Sequence, residues 1–134
     1  MRAILDTNVV LRYLLDDDAG QAATARKLVR QAKRLVIPVP VLCEVAWILL
    51  RHLKIDSAKV ADAIDALTKS PKVETERTVV AAGIDFLRAG GDFADGAIAQ
   101  EGSDMGGNVF VTFDRQAATL HTKLLKGAAV KLLL

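Results

Sequence analysis

Four carboxylates stand where apolar chain gives way to polar. Asp6 closes the run Ala3-Ile4-Leu5, and Glu44 interrupts the stretch from Leu35 to Leu50. Asp95 follows Phe93-Ala94, and Asp114 ends Val109-Phe110-Val111-Thr112-Phe113. Each has an ordinary role open to it, because an acidic side chain near a helix N-terminus caps free N–H groups and suits the helix dipole. As a set they ask for more. Glu44 is the only charge between Arg34 and Arg51, and a carboxylate amid so much apolar sequence needs a partner. Two carboxylates about 4 Å apart repel by about 4 kcal/mol at an effective dielectric near 20. A cluster of four therefore takes up protons, spreads apart or binds a cation. The chain has one cysteine, Cys43, and two distant histidines, His52 and His121. An all-oxygen donor set of this kind favours Mg²⁺ or Mn²⁺ over zinc or copper. Such a site suits phosphodiester hydrolysis, where a divalent ion activates water and neutralises charge developing on phosphate. No rival chemistry presents itself: there is no Walker-type glycine loop, no GxSxG and no histidine placed beside a nucleophile.

The elements that must position these residues follow from apolar runs and periodicity. Residues 2–5, 35–39, the neighbourhood of 73, 109–112 and 128–132 read as five strands. Helical spacing runs through residues 9–15, 22–32, 41–53, 57–68, 76–89, 94–105 and 115–121. Strands that are nearly continuously apolar and alternate with helices predict an α/β fold. The expected form is a three-layer α/β/α sandwich around a central, mainly parallel sheet of about five strands. In such sheets ligands bind outside the carboxyl ends of the strands, where Asp6, Glu44, Asp95 and Asp114 all fall. Punctuation supports these boundaries. Pro40 suits a first helical turn, Asp56 or Ser57 caps the next helix, and Gly90-Gly91 ends the one before Asp95.

A chain of 134 residues, 51% apolar, fits a single domain over 1–134 with a core large enough to need no disulfide or structural zinc. A lone cysteine agrees with a reducing cytoplasm. No run approaches the ~18 apolar residues of a membrane span, and Asp6 breaks the opening run too early for a signal peptide. Lys+Arg 18 against Asp+Glu 16, a net charge of +2, is too balanced to announce nucleic-acid binding. Arg26, Lys27, Arg30, Lys33 and Arg34 form a local basic cluster, open equally to phosphate contact or to plain solvation. The helix after Pro40 is apolar almost all round until Arg51, so it should be covered all round, by neighbouring helices, a second subunit or a partner protein. Trp47 and Cys43 read as core or interface, Asp16-Asp17-Asp18 as a solvated loop, and neither His52 nor His121 as essential.

Read in order, Asp6-Thr7-Asn8, Glu44 within Pro40-Val41-Leu42-Cys43-Glu44-Val45, Asp92-Phe93-Ala94-Asp95-Gly96-Ala97-Ile98-Ala99 and Val111-Thr112-Phe113-Asp114 resemble the four motifs of the PIN-domain nucleases of the VapC toxin family. The resemblance spans essentially the whole chain. It implies a Mg²⁺- or Mn²⁺-dependent endoribonuclease, the toxin of a VapBC-type toxin–antitoxin system, with one or two ions per site. Asp6, Glu44 and Asp95 would be metal ligands, with Asp114 as a fourth, direct or through water. Asn8 and Thr112 would orient those carboxylates, and Asp92 would stand at the rim. An RNA substrate, a homodimer and a cognate antitoxin whose C-terminal segment enters the active-site groove are implied as well. Gly96 departs from the family, which more often has alanine there. A first-turn glycine costs less than the ~1 kcal/mol of a helix interior, so only a local effect is expected.

Two other readings compete. A response-regulator receiver is also small, doubly wound and Mg²⁺-binding, but it typically carries paired acids after the first strand and a phosphoacceptor Asp after the third. Here Asp6 stands alone and Val73 is followed by Glu74-Thr75. A non-catalytic PIN-like binding module would have little reason to keep all four acidic positions.

Overall fold

The structure, a computed structural model, describes residues 1–15 and 17–134. Strand β1 (Arg2–Ile4) leads into α1 (Thr7–Leu15) and α2 (Ala19–Gln31), followed by β2 (Arg34–Val36) and α3 (Val39–Trp47). A π-helical turn, Ile48–His52, extends α3 before α4 (Ser57–Lys69) and the short β3 (Val73–Glu74). Then come α5 (Arg77–Arg88), α6 (Phe93–Asp104), β4 (Val109–Thr112), α7 (Arg115–Leu124) and β5 (Ala129–Leu132). The alternation of strand and helix is the α/β pattern that the sequence predicts.

Every described strand pairing is parallel. β2 lies between β1 and β3, with Ala3 opposite Leu35 and Leu35 opposite Val73. β4 pairs with β5 from Val109–Ala129 to Thr112–Leu132. The expected single sheet of about five strands is thus divided into three and two, and β1 and β4 share no ladder among the described residues. Stacking of the Phe110 and His121 rings, 4.8 Å apart and 4° from parallel, fixes α7 on one side of the β4–β5 pair. Val109 and Val111, on alternate residues, are exposed, so this pair is not buried on both faces as continuous apolar strands predict.

The core lies around the three-stranded sheet, where Leu5, Leu35, Ile37 and Val73 meet Val10, Leu42, Val45, Leu49, Ile64 and Leu87. Pro40 stands in the first turn of α3, where a missing N–H costs nothing. Gly90 takes φ +87° directly after α5, the left-handed conformation that ends helices and favours glycine. α5 and α6 pack closely through Gly96. A Cβ there would stand 2.4 Å from the Ala82 carbonyl oxygen and 2.9 Å from a Phe86 ring carbon. Gly96 is therefore a requirement of helix approach, not the merely local departure expected from sequence.

Of the acidic loop, Asp16 lies outside the described residues. Asp17 pairs with Arg12 at 3.0 Å, and Asp18 caps α2 by accepting from the Gln21 N–H at 3.0 Å. Both are exposed, in keeping with a solvated loop. No described helix is long and apolar enough to cross a membrane.

Candidate active site

The first pair of carboxylates follows β1 and β2. Asp6 leaves β1 exposed, and its backbone carbonyl accepts from the N–H groups of Val9 and Val10 as α1 begins. Glu44 lies on α3, also exposed. Thr7 joins them. Its N–H donates to Asp6 Oδ1 at 2.6 Å, and its hydroxyl donates to Glu44 Oε1 at 2.5 Å across 37 residues of sequence. Thr7 is only 7% exposed, so its two donors are held in place by packing. A hydrogen bond to a charged acceptor is worth about 1.5–3 kcal/mol, enough to set the rotamer of an otherwise free glutamate.

The second group gathers at the start of α6. Asp92 occupies the N-cap position, Asp95 lies in the first turn, and Asp114 follows β4. Burial raises the Asp95 carboxyl above the ordinary carboxylate range, and the negative charges of Asp92 and then Asp114 push it further; Arg51 acts the other way. Arg51 reaches Asp92 from the π-helical turn, its Nη2 standing 2.9 Å from Oδ1 and 3.1 Å from Oδ2. Asp114 caps α7 by accepting from the Ala117 N–H at 3.0 Å, and the Thr112 hydroxyl accepts from the Asp114 backbone N–H at 3.0 Å.

α3, which carries Glu44, packs against α6, which carries Asp95. A groove of about 720 Å³ runs between these helices, with Glu44 and Trp47 on one wall and Ala94, Ile98 and Glu101 on the other. No three His, Cys, Asp or Glu side chains among the described residues stand close enough to share one ion. In donor chemistry, however, the residues fit a hard divalent cation. The carboxylates supply oxygen only, and the negative charges of Asp92 and Asp114, which add to the effect of burial on Asp95, are of the kind that a cation offsets.

The PIN-domain family model matches residues 3–121. The chain belongs to the PIN-domain family. PIN domains are generally metal-dependent nucleases that bind Mg²⁺ or Mn²⁺ and act on RNA. No curated protein and no solved structure matches the chain.

Within this PIN domain the predicted residues fall unevenly. Asp6 and Glu44 are joined through Thr7, while Asp92, Asp95 and Asp114 share one field. Asn8 is exposed and lines a separate cavity between α1 and α2. The orienting contact expected of Asn8 comes instead from its neighbour Thr7. Thr112 touches Asp114 through the backbone N–H and not through the carboxylate. Trp47, expected in core or interface, is 53% exposed, whereas Cys43 is half-buried. Trp47 lies on the same helical face as Glu44, three residues after it, and that face borders the groove. Arg51, seven residues beyond Glu44, was the other signal available: i, i+3, i+7 spacing places all three on one stripe.

Proposed function

We propose that this PIN domain is a Mg²⁺- or Mn²⁺-dependent endoribonuclease and the toxin of a VapBC-type toxin–antitoxin pair. Residues 1–134 act as one domain, a homodimer in the cytoplasm restrained by a cognate antitoxin. Asp6, Glu44, Asp95 and Asp114 hold the metal, with Asp92 at the rim. The observation that carries the nuclease reading is the joining of Asp6 and Glu44 through Thr7, across 37 residues of sequence. Ordinary capping leaves this pairing unexplained. The toxin assignment rests on the four motifs that resemble VapC.

When bound, the cation supplies Lewis-acid activation of water and a counter-charge for phosphate. The chain's own part is positioning. Thr7 fixes Asp6 and Glu44 relative to each other, the α7 N-terminus holds Asp114, and Arg51 holds Asp92. Asp95 must lose its proton to serve as a ligand.

Purified protein, freed of any antitoxin, is expected to cleave structured RNA with Mg²⁺ or Mn²⁺ and to stop in EDTA. Loss of an outer-shell contact typically costs 10- to 100-fold, so Asp6→Asn, which alters a ligand, should cost about 100-fold or more. Full activity in EDTA, or an unimpaired Asp6→Asn, would remove the metal mechanism. RNA binding without cleavage would favour the non-catalytic module. The receiver reading loses its support to the PIN match over residues 3–121.

A further inference from the structure

The chain has one Trp, one Tyr and four Phe. Phe86 and Phe93 are buried, and Tyr13 and Phe110 are partly buried. Two aromatics remain exposed, Trp47 at 53% and Phe113 at 73%. Trp47 is three residues from Glu44, and Phe113 directly precedes Asp114. Each exposed ring thus stands beside one candidate ligand in the chain, Trp47 near Glu44 and Phe113 next to Asp114. Leaving large apolar side chains in water forgoes about 1.5–3 kcal/mol apiece, and Trp47 shares its groove with exposed Ile98 and Met105, which points to something that covers that groove.

We infer that Trp47 and Phe113 are stacking platforms for unpaired bases on either side of the phosphate that is cut. This rests on the nuclease reading above. Trp47 borders the groove beside Glu44, and the His52 ring braces the indole edge-on, with centroids 4.8 Å apart and planes at 72°. The same groove carries Glu101 on its far wall. A base brings what this lining complements: a π face for the indole and exocyclic N–H donors for a carboxylate. A purely aliphatic partner segment would satisfy the indole and bring no donor to Glu101. Stacking requires bases free of a duplex, so the preferred strand is single-stranded or looped around the cut.

Trp47 is the sole indole, and its emission reports directly on the platform. In an Asp6→Asn background with Mg²⁺, a single-stranded oligoribonucleotide of about eight residues should quench that emission saturably. A blunt duplex of the same sequence should quench it far less. Trp47→Ala and Phe113→Ala should each weaken binding of the labelled strand about 5- to 100-fold, with Trp47→Phe retaining most of the affinity. In the cleaving protein the loss should fall more on KM than on kcat. Unchanged affinity in both alanine variants would overturn the inference. So would emission that responds to protein concentration and not to RNA, which would show that a second copy covers the ring. A wild-type protein that cleaves RNA while the variants bind equally well fells only this inference; one that neither binds nor cleaves RNA fells the nuclease reading itself.

Discussion

Thr7 holds two carboxylates with one residue, its N–H on Asp6 and its hydroxyl on Glu44. Valine has nearly the same shape and no hydroxyl, so Thr7→Val should leave the fold intact while freeing Glu44. The expected result is a 10- to 100-fold loss of metal affinity or activity, typical of lost orienting contacts, with Thr7→Ser recovering most of it. Mn²⁺ titration calorimetry beside a cleavage assay distinguishes this from general destabilisation. Asp95 makes a second prediction at the same scale. Its carboxyl holds a proton above the usual range because of burial and the charges of Asp92 and Asp114. Protonation competes with metal, so Mn²⁺ affinity should rise as pH climbs through the raised Asp95 range. For the metal-free fold the sign runs the other way. A raised acid contributes stability at low pH that is lost as pH increases, and Asp95→Asn should flatten that dependence.

At the scale of elements, the closeness of α5 and α6 decides where Asp92 and Asp95 sit. Gly96 permits it, because any Cβ would press on the Ala82 carbonyl and the Phe86 ring. Gly96→Ala improves helix propensity by up to ~1 kcal/mol, yet overpacking against backbone typically costs about 1–3 kcal/mol. The close approach should win. Chemical denaturation is expected to show net destabilisation, and a more stable variant would refute the packing argument. The π-helical turn after α3 is a second element with consequences: it carries Arg51 to Asp92. Two residues beyond it Lys54 adopts φ 54°, a left-handed conformation that costs a non-glycine residue about 1–2 kcal/mol.

For the whole molecule, the carboxylates are distributed between two parts of the fold. Asp6 and Glu44 follow strands of the three-stranded sheet, whereas Asp114 follows β4, which shares no described ladder with β1. A cation gripped from both sides would tie these parts together and stabilise the native state by mass action. At a hundredfold excess over Kd the gain is about 2.7 kcal/mol, or about 10 °C in Tm for a domain of this size. Scanning calorimetry with and without Mn²⁺ measures it, and Asp6→Asn should abolish most of the shift.

Much of this was legible in residues alone. The strand–helix alternation, the first turn of α3 at Pro40 and the stop after α5 at Gly90 follow from local rules of hydrogen bonding and φ, and the four acidic positions stand out against their apolar surroundings. Local rules could not show that Thr7, not Asn8, holds Glu44, because that contact spans 37 residues of sequence. Nor could they show that Trp47 is exposed: an apolar helix reads as covered, and only the placement of α6 opens a groove beside it. The sequence by itself determined which atoms are available for chemistry, carboxylate oxygens without thiolate or paired imidazole. Tertiary structure decided their grouping and the raised proton affinity of Asp95, since burial and repulsion act through distances that chain order does not contain.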